Sequence, residues 1–294
     1  MKIIIFVIII INTILTVVYS QAVQIDEIQT QINEINNEIK LSPQNANLYY
    51  ARGRLYARME RFEEALDDLR KAVLLYPENA EYYSLKADLY NSMGKYREAL
   101  NDKNIAIRYD PNNIQYYFER GVLYQNVGMF QETVNDLTIV INSGKNMRKA
   151  YTIRAFAYAK LGKLNEAIND ITKEIDLFTG DFQDIFLRSE IYLLQNEFDE
   201  AIADLNNLLL ISSRDLFPFI YTQRAQVYFI VGKLYEALFD LNIAIGLNPQ
   251  HPVIYLNRAN IYSKLAENTN NIQEKNEYLR RAMEDNAIHD KLRR

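Results

Sequence analysis

A chain of 294 residues with 38 acidic and 33 basic side chains carries a formal net charge of −5, too little positive field to gather a nucleic acid. It has no cysteine, which excludes thiol catalysis, zinc–thiolate sites and iron–sulfur ligation, and its only histidines, His251 and His289, stand apart in polar segments that assemble no metal pair or triad. With no glycine-rich phosphate loop and no Gly-x-Ser-x-Gly, no enzymatic activity, metal or cofactor is expected.

The chain opens with Met1-Lys2 and then an apolar run from Ile3 to Val18, broken only by Asn12, Thr13 and Thr16. Val18-Tyr19-Ser20 comes next, giving residues 1–20 the outline of a secretory signal peptide, with Gln21 as the first mature residue. Cleavage would remove Lys2 and no acid, taking the charge from −5 to −6. An uncleaved membrane anchor is the alternative, although the run is short for a span of about 20 residues. The expected location is therefore periplasmic or secreted, with no membrane span after cleavage. A secreted repeat protein of this size needs no disulfide staple if stacking buries enough surface.

Residues 21–45 read as an N-terminal helix. Ile25, Ile28, Ile32, Ile35 and Ile39 alternate by three and four, a seam two heptads long. Leu41-Ser42-Pro43 then closes the helix as a repeat would be closed, so the helix is read as packed on the first repeat, which begins at residue 46. A weak homo-oligomer through this seam is the alternative.

From residue 46 to 265 the chain repeats itself. A basic residue followed four later by Tyr recurs at Arg52/Tyr56, Lys86/Tyr90, Arg120/Tyr124, Arg154/Tyr158, Arg188/Tyr192, Arg224/Tyr228 and Arg258/Tyr262. The steps are 34 residues, except one of 36. Thirteen residues after the basic column stand Ala65, Ala99, Thr133, Ala167, Ala201 and Ala237. Three further on stand Asp68, Asp102, Asp136, Asp170, Asp204 and Asp240. Four beyond those come Ala72, Ala106, Val140, Leu208 and Ala244, with Glu174 breaking the column in the fourth repeat. Pro43, Pro77, Pro111 and Pro249 close helices, while Gly94, Gly128, Gly162 and Gly232 mark turns inside repeats. Apolar residues at helical spacing within each half predict two antiparallel helices per repeat. A period of this size predicts stacked helix pairs that bury their faces only against neighbours.

This pattern resembles the tetratricopeptide repeat family. The first repeat carries Tyr49, Arg52-Gly53, Tyr56, Ala65, Leu69, Ala72 and Pro77 at family positions, and the third keeps Tyr117, Gly121 and Tyr124. Two departures stand out: the usual Leu beside the Gly is Arg or Lys, and the last repeat has an insertion before its second helix. The resemblance implies an all-α, right-handed α-solenoid of six to seven repeats. Ala266 to Glu274 is polar and is expected as a loop, followed by a C-terminal capping helix to residue 294.

The basic column admits two readings. It is a cationic stripe for an acidic ligand, or each base pairs with the Asp sixteen residues on, across the helix hairpin. Six bases with six matching acids favour the ladder of ion pairs.

In the resembled family the first helix of each repeat lines the concave face. The positions two before and two, five and six after the basic column would then form a protein-binding groove. They are Tyr50, Arg54 and Arg58; Ser84, Asp88 and Asn91; Phe118, Val122, Gln125 and Asn126; Thr152, Phe156 and Lys160; Phe186, Glu190, Leu193 and Leu194; and Thr222, Gln226, Phe229 and Ile230. Members that grip a C-terminal carboxylate use a Lys/Asn clamp here, which Tyr50, Arg54, Ser84 and Asp88 do not reproduce. The implied function is a non-catalytic scaffold holding a protein or peptide segment in the groove. The alternatives are a structural subunit of a cell-envelope assembly and a membrane-tethered accessory protein.

Overall fold

The structure is a computed structural model that describes residues 25–145 and 147–293. The expected export signal, 1–20, lies outside the described residues. Among the described residues all regular structure is helical, in two compact bodies that divide after Lys145. The first body holds α1 (25–41), then three helix pairs: α2 (Ala46–Arg58) with α3 (Phe62–Leu75), α4 (Ala80–Ser92) with α5 (Tyr96–Tyr109), and α6 (Ile114–Asn126) with α7 (Phe130–Asn142). The second holds four: α8 (Ala150–Lys160) with α9 (Leu164–Phe178), α10 (Phe182–Leu194) with α11 (Phe198–Ile211), α12 (Phe217–Ile230) with α13 (Leu234–Leu247), and α14 (Pro252–Asn268) with α15 (Ile272–Leu292). Each pair is one repeat, so seven repeats are present among the described residues.

The sequence dictates where the helices begin. Asn45, Asn79 and Asn113 each stand two residues after a proline that cannot continue the preceding helix. Their side chains accept the backbone N–H of Asn47, Glu81 and Gln115, satisfying one orphan donor of α2, α4 and α6. Second helices start differently. None of α3, α5, α7, α9, α11 and α13 has a side-chain cap bond. Each instead follows a residue in the left-handed region: Glu60, Gly94, Gly128, Gly162, Asn196 and Gly232, with φ of 57, 71, 77, 75, 63 and 78°. That residue reverses the chain and lets the next amide close back on the first helix, as Lys95 N does on Tyr90 O.

Packing obeys the columns. In α3, Ala65, Leu66, Leu69 and Ala72 are all 0% exposed. Burying each Leu is worth roughly 1.5–3 kcal/mol. The small column next to the bases lies close against the paired helix: a Cβ built on Gly121 would run into the Leu137 side chain, and one on Gly53 would come within 3.2 Å of Ala65 O. The fourth column's exception, Glu174, is 0% exposed all the same.

Helix α1 occupies the position of a second helix. Ile28 and Ile32 are 5% and 1% exposed and cluster with Leu55, Tyr56 and Met59 of the first repeat. The seam that a coiled-coil arm would need is thus taken up by α2. Its opposite face carries exposed Thr30, Asn33 and Asn37, a polar end to the stack.

The C-terminal end departs from the expected boundaries. Helix α14 runs on through Asn268, so the expected loop at 266–274 shrinks to Thr269, Asn270 and Asn271. Asn271 caps α15 by accepting from Gln273 and Glu274. Helix α15 is more than a cap: Ala282, Asp285 and His289 are buried, and they fill the columns of a second helix. His289, expected in a polar segment, is 8% exposed with Nδ1 3.0 Å from Pro252 O.

Candidate functional site

The ladder of ion pairs exists. Arg52, Arg120, Arg154, Arg188 and Arg224 each place Nε and Nη2 on the two oxygens of the Asp sixteen residues later, at 2.5–2.8 Å. Lys86 makes one bond to Asp102, at 3.1 Å. Burial pushes the Asp102 carboxyl above its ordinary range, and the ammonium groups of Lys86 and Lys103 only partly oppose it. A seventh rung joins Arg258 to Asp285 at 2.8 and 2.7 Å, 27 residues apart. The sequence pattern does not reveal it, because the insertion moves the acid beyond the expected offset.

The arginines do more than pair within a repeat. Nη1 of Arg120 and of Arg258 donates backward, at 2.7 Å each, to Asn104 and Asn242 on the preceding second helix. Arg52 reaches Asn36 of α1, Arg188 reaches Thr172, and Arg224 reaches Asn206. Tyrosines flank the fork: Arg120 lies 5.5 and 5.6 Å from the rings of Tyr117 and Tyr124, and Arg224 5.3 and 5.7 Å from those of Tyr221 and Tyr228. The basic column is therefore framework, with arginine side chains 11–20% exposed.

Two further buried charges break the repeat pattern. Lys103 sits where the other first six repeats place Leu or Ile, and it is 0% exposed. Its ammonium donates to Glu119 at 2.6 Å, Ser84 Oγ at 2.8 Å and Asp88 at 3.0 Å, tying α4 to α6 from below the first-helix face. In the second body Glu174 Oε1 accepts the backbone N–H of Lys149 at 2.6 Å, while Oε2 has no partner. Lys149, at φ 72°, reaches Asp181 and Asp184 with its ammonium, and Thr152 donates to Asp184 at 2.7 Å. Burial raises the Glu174 carboxyl's pKa, against the pull of the Lys149 amide.

The expected groove residues fall on the first helices, as the columns require. In the first body Arg54, Arg58 and Asn126 are exposed, while Tyr50, Phe118, Val122 and Gln125 are half-buried. Tyr50 contacts Tyr82 at 5.0 Å and carries Arg54 at 5.7 Å. Ser84 is buried on Lys103, and Asp88 is held by it, so neither is an independent groove element.

In the second body Thr152, Phe156, Phe186 and Leu193 are half-buried, and Lys160, Glu190, Gln226, Phe229 and Ile230 are exposed. Lys160 stands 5.2 Å from the Phe156 ring. Partial burial raises the Glu190 carboxyl, with Lys160 opposing. Phe186 joins Phe182 and Phe219, at 5.9 and 5.1 Å, in a cluster that the columns do not foretell because Phe219 lies outside them. Thr222 is buried and donates to Pro218 O at 2.6 Å. Two depressions flank Gln226. One, of about 300 Å³, is lined by Phe219, Thr222, His251 and Ile254. The other, of about 60 Å³, lies among Phe229, Asn257, Asn260 and Ile261.

Residues 46–79 match the family described as "Tetratricopeptide repeat", and residues 87–128 match "TPR repeat". This chain carries tetratricopeptide repeats. No curated protein matches it. The solved structures it resembles are of the same kind. A tetratricopeptide repeat protein from Parabacteroides merdae is 18% identical with a TM-score of 0.55, covering 88% of this chain and 93% of that one. The C-terminal part of a TPR repeat-containing protein from Cytophaga hutchinsonii is 14% identical with a TM-score of 0.67, covering 78% and 93%. YrrB, described as "a TPR protein with an unusual peptide-binding site", is 19% identical with a TM-score of 0.54, covering 63% and 95%. At these identities the likeness speaks to the fold.

Tetratricopeptide-repeat proteins are in general protein–protein interaction scaffolds. Among the described residues of this one, no group of three or more His, Cys, Asp or Glu is placed to hold a metal ion, and no helix is long and apolar enough to cross a membrane.

Proposed function

We propose that this tetratricopeptide-repeat protein is a non-catalytic scaffold that holds a polypeptide segment along the first helices of its repeats, and that residues 1–20 direct its export. The observation that carries the first part is the first-helix face of the second body. There Leu194, Phe219, Phe229 and Ile230 remain 63, 41, 38 and 60% exposed. Apolar side chains left together in water mark an interaction surface. Gln226 stands exposed between the two depressions, so a bound segment would place apolar side chains in them and hydrogen-bond its backbone to the amide. The peptide-binding site ascribed to YrrB supports the reading as a parallel. An internal segment suits this face better than a free C-terminus, since no lysine or arginine lines either depression.

The experiment is affinity capture from the source envelope fraction with protein whose first residue is mapped by mass spectrometry. The expected first residue is Gln21, and an intact Met1 in the membrane fraction would reverse the export reading. Phe219→Ser and Phe229→Ser are each expected to abolish partner capture while moving the thermal midpoint only slightly. Undiminished capture by both variants would move the interaction surface elsewhere.

A further inference from the structure

The repeats are internal controls for one another. On the second helices, the positions eleven and fifteen residues after the basic column face solvent in every one of the first six repeats. Repeats one to five fill the first of them with Glu63, Arg97, Gln131, Asn165 and Asp199, and the second with four polar residues and Ala203. Repeat six fills them with Tyr235 and Phe239, which are 67% and 65% exposed. Nothing in the packing of α13 asks for either ring.

The second departure meets the first. The insertion in repeat seven extends α14 and delays α15, and the residues it brings there enclose a depression of about 570 Å³ against the α12–α13 turn. Tyr278 forms part of its wall, stacked on Tyr262 at 6.2 Å, with its hydroxyl 3.5 Å from that of Tyr235. Asn268, Asn270 and Glu274 supply amide and carboxylate groups, and Lys233 and Glu236 face them from the turn. One ammonium against two carboxylates gives no field for a phosphate or sulfate. An apolar peptide side chain would strand the amides without partners, at a cost of about 1–3 kcal/mol for each one buried.

We propose that this depression, with the Tyr235–Phe239 ledge beside it, binds a neutral chain of pyranose sugars. Such a ligand matches both kinds of surface. Its C–H faces lie flat on aromatic rings, and its hydroxyls donate to and accept from amides and carboxylates. Tyr235 and Phe239 are four residues apart on one helix, a rise of about 6 Å, which is close to the length of one pyranose unit. Successive sugars would cover successive rings, with the end of the chain inside the depression. The surface lies on second helices, the α12–α13 turn and the C-terminal end of α14, apart from the first-helix face proposed for a polypeptide.

The test uses the full chain and a defined panel: the neutral hexasaccharides of the cello, chito, malto, laminari and xylo series, by isothermal titration. At least one is expected to bind. Tyr235→Ala should weaken it at least tenfold, and Phe239→Ala should weaken the hexasaccharide more than its disaccharide. Phe229→Ser, on the other face, should leave it unchanged. Asn270→Ala is a second probe of the rim if Tyr235→Ala lowers the melting temperature. No binding across the panel at millimolar sugar would overturn the proposal. So would binding that survives both ring substitutions in proteins with unaltered melting.

Discussion

An arginine whose guanidinium nitrogens bond on two sides can fasten two helices at once, and that decides what the basic column is for. In Arg120 the Nε/Nη2 edge grips Asp136 of its own repeat while Nη1 reaches Asn104 of the repeat before. Lysine has no planar fork, and the exception at Lys86 is instructive. The residue in the backward column there is Arg70, which pairs with Asp67 on its own helix. A second guanidinium facing it would repel. The offset of sixteen was legible in the sequence because six bases and six acids obey it together. The backward column was not, because it mixes Asn, Thr and Arg and reads as an ordinary solvated face. Arg154 and Asp170 give the direct test, since their carboxylate is 2% exposed and the bonds are 2.6 and 2.8 Å. Arg154→Ala and Asp170→Ala are each expected to cost about 3–5 kcal/mol by stranding a buried charge. The double variant should cost less than the sum, with a coupling of roughly 0.5–3 kcal/mol in denaturant unfolding. Simple additivity would show that the two side chains do not act as a pair.

At the scale of elements, the helices were readable because apolar periodicity, prolines and turn glycines agree. What escaped was the end of α14. Ala266 to Asn268 continue the helix although their neighbours are polar, and only the Asn271 cap marks the restart. Polarity alone does not distinguish a solvated helical turn from a loop. The turn between paired helices makes a sharper point. Four repeats meet its left-handed requirement with glycine, but the first and fifth use Glu60 and Asn196. A side chain other than Asn or Asp costs roughly 1–2 kcal/mol there. Glu60→Gly is therefore expected to raise stability by up to about 1 kcal/mol, after allowing for the added freedom of glycine in the unfolded chain. Gly162→Ala should lower it by a similar amount. Thermal unfolding reads both. A loss of stability in Glu60→Gly would mean that Glu60 makes a contact worth more than its backbone strain.

Across the whole molecule, stability is a sum over neighbours, because a helix pair touches chiefly the pairs beside it. The consequence is graded opening. Arg52→Ala removes the contacts of Arg52 with Asp68 and Asn36 and should lower amide-exchange protection in α1, α2 and α3. Protection in α12 to α15 should hold. An equal loss at both ends would mean that the chain opens as a single cooperative body. The proposed binding face was only partly legible at this scale. The columns located Gln226, Phe229 and Ile230, but Phe219, Asn257 and Asn260 come from a helix start and from the seventh repeat's first helix, outside the positions carried over.

The backward reach of Arg52, Arg120, Arg188, Arg224 and Arg258 also changes what counts as a module. A segment cut to the sequence period, first helix plus second helix, carries an arginine whose amide acceptor stays behind on the donor chain. The smallest transplantable cassette is instead a triplet: a second helix, then the next first helix, then its second helix. Helices α1, α2 and α3 are such a triplet, with Asn36, Arg52 and Asp68 as its three fasteners. Anyone grafting repeats from this chain into another scaffold should open the cassette in a turn between paired helices, as at Glu60, and close it after the second helix of the following pair, as before Pro111, keeping the Pro77-x-Asn79 junction inside it whole.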